Sequence, residues 1–248
     1  MQTTNIPQTA TVMTALLRAD FTTMWRNRRS LRLVLLVPLA ILVSWKGLIG
    51  KLGGSFVIAG SITIGLISIG LLGYASSVAS DRDKGVFQRL RVGPVAAWTI
   101  MCSRITVHIA TIMVMTLLIF AVGIAVDKIT LSAMGYVAGF FAAVLGGLLY
   151  LSLGQMIVGL IKNLETVNST TRLVYFLFIM VGMLGSFGAL GDVVKESVQW
   201  SPYGVVNQVV ATSLKPETWT QHTTMALLAS LGYTVVFGLL GIRWFKWN

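Results

Sequence analysis

Long apolar runs alternate with short polar segments along the chain. A helix needs about 20 mostly apolar residues to cross a hydrocarbon layer of about 30 Å. Six stretches meet that length: 31–49, 55–79, one within 96–126, 131–161, 173–190 and 224–242. The pattern predicts an all-α polytopic membrane protein, with six spanning helices in a single transmembrane domain over 1–248. The first stretch is the weakest, with Arg32 and Lys46 near its ends and Pro38 inside. Both cations can snorkel to opposite interfaces, and a proline is tolerated in a span.

Three segments outside the spans carry a pattern of their own. Residues 1–30 hold no apolar run of spanning length, so no secretory leader is expected there. Instead Met13, Leu17, Phe21, Met24 and Trp25 recur at helical spacing, with Arg18, Thr22, Arg26 and Arg29 on another face. This predicts a basic amphipathic helix lying on the cytoplasmic leaflet; a soluble helix packed on a partner is the alternative. The loop after the second span packs six charges into residues 81–91 around an apolar edge of Val86, Phe87 and Leu90. Gly93-Pro94 then punctuates the chain, and a third helix starting there would run roughly 48 Å at 1.5 Å per residue. That is longer than the bilayer core, so its first turns project into the cytoplasm and Arg104 falls near the interface. An ordinary connecting loop would need only scattered Lys and Arg. The mixed-sign pattern with an apolar ridge predicts a short helix that docks on a soluble partner. Residues 191–222 contain Ser201-Pro202-Tyr203-Gly204, a turn-like break, between two short apolar stretches. They read either as two short helices dipping into the outer leaflet or as a mobile outer loop.

Composition agrees with the spans. Of 248 residues 55% are hydrophobic and 11% charged, and the mean hydropathy is +0.81. An ordinary soluble domain has roughly 25% charged residues. A soluble globular enzyme, a disordered chain and a disulfide scaffold are excluded, and the lone Cys102 has no intramolecular partner. With the N-terminus placed inside, fourteen basic and four acidic residues fall on the cytoplasmic side, against five and four outside. Nearly all of the formal net charge of +11 therefore lies on one face, as the positive-inside rule requires. The charge serves orientation, and nucleic acid is not an expected partner.

The familiar chemistries are missing. No phosphate-binding loop of the Gly-x-x-x-x-Gly-Lys-Ser/Thr type occurs, and the only histidines are His108 and His222. No plausible Ser/His or Asp/Asp pair lies in the spans, so neither an intramembrane protease nor a lipid hydrolase is expected, and no residue is assigned as catalytic or metal-binding. The second, fourth and fifth spans contain no Asp, Glu, Lys or Arg. That argues against an ion-coupled carrier and a charged-filter channel. What remains is a membrane scaffold with no energy source of its own and a prominent docking loop. An ion-coupled or facilitative carrier working without an ATPase, and a membrane-anchored sensor or assembly factor, are the rival readings.

The stretch Asp81-Arg82-Asp83-Lys84-Gly85-Val86-Phe87-Gln88-Arg89-Leu90-Arg91-Val92-Gly93-Pro94 resembles the coupling helix of the type-2 ABC exporter permeases. Asp81, Arg82, Asp83, Gly85, Leu90 and Pro94 fit the family pattern, and Gln88 departs from it, standing where an acid is common. Ser201-Pro202-Tyr203 resembles the family's Ser-Pro turn before the last span. The resemblance implies a dimer of permeases, a homodimer being the simpler arrangement and a heterodimer the alternative, with two cytoplasmic ABC ATPase subunits, the ATP and Mg being held by those subunits and no cofactor by this chain. It also implies a prokaryotic inner membrane with both termini cytoplasmic. Asp81, Arg82, Asp83, Gly85, Phe87, Arg89, Leu90 and Pro94 would then couple the ATPase to the spans. The second and fifth spans would face the pathway, which implicates Ser61, Thr63 and Ser68 together with Phe176, Phe178, Met180, Met183 and Phe187. A Met/Phe surface suits apolar or amphipathic cargo, because methionine re-packs around varied shapes.

Overall fold

A computed structural model describes residues 9–26, 28–92, 97–186, 188 and 190–245. Among them there is no strand. Helix α1 (Thr9–Arg26) is followed by α2 (Arg28–Ser44), whose span continues through a 3-10 turn to Leu52. Then come α3 (Gly54–Asp83), the short α4 (Val86–Val92), α5 (Ala97–Ala125), α6 (Ala133–Leu160) and α7 (Leu164–Ser186). Two short helices, α8 (Asp192–Gln199) and α9 (Pro202–Ser213), precede α10 (Gln221–Trp244). Six of these are long and apolar enough to cross a membrane, α2, α3, α5, α6, α7 and α10. They occupy the six stretches expected from the sequence.

The helix starts follow local chemistry. Ser132, Asn163, Ser201 and Thr220 each accept a hydrogen bond from the backbone N–H three residues on, at 3.0 to 3.4 Å. These side chains satisfy donors that the first turn leaves free. Pro202 stands in the first turn of α9, where its missing N–H costs nothing. Asn163 sets the start of α7 at Leu164, nine residues before the expected 173. The intervening polar residues turn mostly outward while Val167 and Thr171 are buried, so one helix carries both a polar turn and a span.

Helix α3 is apolar on every side, and 83% of its spanning window is buried. Such a helix belongs at the centre of a bundle. Over Ser68–Ala75 it widens to π geometry, and there it crosses α6 with almost no spacing. A Cβ on Gly70 would lie 2.6 Å from the Tyr150 carbonyl, and one on Gly154 2.4 Å from the Gly70 oxygen. Only glycine permits this approach of two backbones. One turn away Tyr74 donates to Gln155 Oε1 at 2.6 Å, so the crossing also holds a buried polar pair.

Helix α9 packs against α3, α6 and α10 and is buried from Tyr203 to Asn207, whereas α8 is exposed apart from buried Val198 and half-buried Val194. The 191–222 segment is therefore built on helices. On α1 no residue is fully buried; Asp20 and Met24 meet α5, while Phe21 and Trp25 are exposed. The side chains of Arg29 and Arg32 lie outside the described residues. Exposed tryptophans stand towards the helix ends, with Trp98 and Trp244 at one end of the bundle and Trp200 and Trp219 at the other, while Trp25 lies at the end of α1. This is the distribution of interfacial aromatic belts. Lys46 also reaches the second end, where its Nζ donates to the Val126 carbonyl at 3.2 Å.

Candidate coupling hairpin and pathway surfaces

The turn between α3 and α4 is made at Gly85, whose φ of +67° lies in the left-handed region that favours glycine. Lys84 N–H still bonds the Ser80 carbonyl, and Gly85 N–H bonds that of Arg82, both at 3.0 Å. Asp81, Arg82 and Asp83 thus sit on the last turn of α3, rigidly continuous with the second span. Phe87 and Leu90 lie on α4. Leu90 is described in its backbone alone, and Pro94 lies outside the described residues.

The hairpin has two faces. Asp83, Lys84, Gln88 and Arg89 are exposed. Arg82 and Phe87 are buried, at 7% and 1% exposure. Arg82 donates to three backbone carbonyls at the end of α6: Nη1 to Val158 at 2.7 Å, and Nη2 to Ile161 at 2.7 Å and Lys162 at 2.8 Å. Those carbonyls belong to the last turn and exit of a helix, where partners within the helix run out. A cation there also meets the negative end of the helix dipole. Arg82 therefore fastens the end of the second span to the exit of the fourth.

Phe87 packs edge-to-face on Phe245 at 5.7 Å between centroids, with Arg104 5.3 Å from the centre of its ring. Arg82 stands 6.0 Å from the Phe245 ring. Two arginines and two aromatic rings thus tie α3, α4, α5 and the end of α10 together. The sequence puts Phe87 on the apolar edge of the docking helix; the structure turns that side chain inward, and the exposed face of the hairpin is polar. Arg104 forms an ion pair with Asp81 and lies 3.7 Å from an Asp20 oxygen, whose other oxygen accepts from Ser103 at 2.7 Å. The α1 helix is thereby joined to the base of the hairpin. Asp20 was not singled out in the sequence, although it is the sole acid on an otherwise basic helix and that was its signal. His108 is packed edge-to-face on Tyr74 at 5.2 Å, and its Nδ1 bonds the Arg104 carbonyl at 2.9 Å.

The pathway candidates divide. Ser61, Thr63 and Ser68 are enclosed within the chain. The Ser61 and Thr63 hydroxyls donate to the carbonyls of Val57 and Ala59, and Thr63 lies 3.4 Å from Asn207 Oδ1. Because α3 is central, these hydroxyls look into protein. On α7, Phe176 is 57% exposed, next to exposed Leu173, Leu177 and Val181. Phe178 packs on Tyr150 at 6.2 Å, and Met180 and Met183 are half-buried. Phe187 lies outside the described residues. The structure does not bring the α3 hydroxyls and the α7 aromatic face onto one open surface.

Among the described residues no cluster of three or more His, Cys, Asp or Glu could hold a metal. The architecture is that of a polytopic membrane protein. The profile of the ABC-2 type transporter family matches residues 11–203, which include the α3–α4 hairpin and the first five spans, and the chain belongs to that family. Membership makes it the membrane-spanning permease subunit of an ABC transporter, a non-catalytic component in a family that works with ATPase subunits. A comparison with curated proteins finds no match.

Proposed function

We propose that this chain is the permease of an ATP-driven exporter. Two copies would pair with two cytoplasmic ABC ATPase subunits, which hold ATP and Mg. The hairpin and both termini would face the cytoplasm at a prokaryotic inner membrane. The observation that carries this reading is the division of labour within the hairpin. Its exposed face offers Asp83, Lys84, Gln88 and Arg89 to a partner, while its inner face is fastened to α5 by Arg104 and to α6 by Arg82. A push on α4 would move the lower ends of three spans together. The cargo is an apolar or amphipathic molecule taken from the cytoplasm or inner leaflet. With Ser61, Thr63 and Ser68 enclosed, contact with it falls to the exposed side of α7 around Phe176 and Met180, where a second copy would complete the path.

The test replaces Asp83, Gln88 and Arg89 together by alanine in the complete transporter. None of them is buried, so the permease should fold and insert normally. ATPase subunits should be lost on purification and efflux should fall at least tenfold. Retained ATPase and unchanged efflux would refute the docking role, and efflux by the permease alone in vesicles would favour an ATPase-independent carrier.

A further inference from the structure

A cavity of about 330 Å³ lies between α1, α2, α3, the start of α4 at Val86, and α5, and no residue of the α7 surface lines it. Along α3 its wall is Ile69, Gly73, Ser77 and Asp81, one residue per turn, so the slot follows that helix for about 18 Å at 1.5 Å per residue. The deep end is largely apolar, with Met24, Val34 and Ile69 beside Thr111, and Val107 lies one turn above Arg104. The end nearest the hairpin is charged, with Asp20, Asp81 and Arg104.

The chemistry of the charged end is one-sided. Two carboxylates face one guanidinium, and that guanidinium is already directed at both of them. The hydroxyl protons of Thr23 and Thr111 are donated to carbonyls on their own helices. A carbonyl can only accept, so the bond to Arg104 O places the His108 proton on Nδ1 and leaves Nε2 an acceptor. Nε2 stands 4.0 Å from where a Gly73 Cβ would be, on the slot side. The walls therefore carry an excess of negative charge and several acceptors, with the Arg104 Nε–H enclosed without a partner and the Ser77 hydroxyl able to donate or accept. Asp20 and Asp81 keep side-chain exposures of 19% each, so a ligand can reach them.

Gly73 gives a second, independent indication. Elsewhere on α3, glycine is demanded by contact: a Cβ on Gly65 would meet Met115 Sδ at 2.2 Å, and one on Gly70 would meet backbone at 2.6 Å. At Gly73 the nearest atom would be 3.8 Å away. Helix packing does not require glycine there, and glycine destabilises a helix relative to alanine. What its missing side chain preserves is the open slot.

We infer that this slot binds an amphiphilic ammonium, with its cationic N–H head at Asp20, Asp81 and His108 and its apolar body along Gly73 and Ile69. The head could come from a phosphatidylethanolamine lipid or from a free amphiphilic amine. Recognition is the same for both, and the site does not depend on any ATPase partner.

The test uses the full-length protein in phosphatidylglycerol nanodiscs and an octylammonium probe carrying a diazirine on its chain. Photolabelled peptides are mapped, with octylammonium, octanol and octanoate as competitors. Label is expected within residues 16–24, 69–81 or 104–111, and octylammonium should compete at least tenfold better than either other compound. Gly73→Leu fills the slot and should reduce labelling at least fivefold. Gly232→Leu, at a position with nothing within 4 Å, should leave it unchanged. Asp20→Asn keeps the volume of the slot and should abolish the preference for octylammonium over octanol, which tests the site even if Gly73→Leu fails to fold. Loss of label in phosphatidylethanolamine nanodiscs would identify a resident lipid, and persistence a free amine; both support the site. Label spread over the α10 surface and indifferent to Gly73→Leu, or equal competition by octanol, would overturn it.

Discussion

Replacing Arg82 by methionine removes three backbone contacts and the cation while keeping a long side chain. The three acceptors are Val158, Ile161 and Lys162, at 2.7, 2.7 and 2.8 Å. A hydrogen bond from a charged donor contributes about 1.5–3 kcal/mol net, and an orphaned buried acceptor costs about 1–3 kcal/mol. The three bonds share one side chain and lie at the end of a helix where water can reach some of the carbonyls, so they do not add. A loss of about 2–4 kcal/mol is expected. For a chain of this size that corresponds to a fall in Tm of roughly 4–16 °C, read by thermal unfolding of the purified permease in nanodiscs. Arg82→Lys keeps the charge, but a single ammonium cannot span three carbonyls, so it should recover about half of the loss. In the complete transporter Arg82→Lys should retain its ATPase subunits, because the residue is buried, yet move less cargo per ATP. A Tm for Arg82→Met within about 2 °C of the parent would refute the claim that this residue fastens the second span to the fourth.

Gly70→Val should prevent stable assembly, since its side chain would enter the Tyr150 backbone, whereas Gly47→Ala, with nothing within 4 Å, should change Tm by less than about 2 °C; size-exclusion profiles in detergent compare the two. Gly85→Ala places a Cβ on a left-handed residue and should cost about 1 kcal/mol, seen as a lower Tm together with faster proteolysis within residues 81–92. Tyr74→Phe removes the hydrogen bond to Gln155 and should cost about 0.5–1.5 kcal/mol. A thermal cycle with Gln155→Leu should show the two effects to be coupled, and simple additivity would contradict the pair.

The spans were legible because length and hydropathy alone decide whether a helix can cross a bilayer. The hairpin was legible as a feature, since Gly85 and the clustered charges have local causes. Its internal division was not. Arg82 reads as a solvated loop charge until the chain brings it to carbonyls 76 to 80 residues away. Phe87 reads as an exposed tip until Phe245 from the far end of the chain covers it. Ser61 and Thr63 read as pathway hydroxyls, because a spanning pattern does not say which helix stands in the middle of the bundle. The start of α7 was missed for the opposite reason. Its polar first turns fail a hydropathy test, yet the Asn163 cap and buried Val167 continue the helix.

The central claim is that a nucleotide-hydrolysing partner grips the α3–α4 hairpin from the cytoplasm. Site-specific photo-cross-linking from position 88, exposed on α4 and away from the buried contacts, tests it most directly in intact cells. The account predicts a cross-link to a soluble chain that carries a phosphate-binding loop, weakened when Asp83 and Arg89 are replaced. A hairpin cysteine labelled by membrane-impermeant reagents from the exterior, with no such cross-link formed, would contradict it.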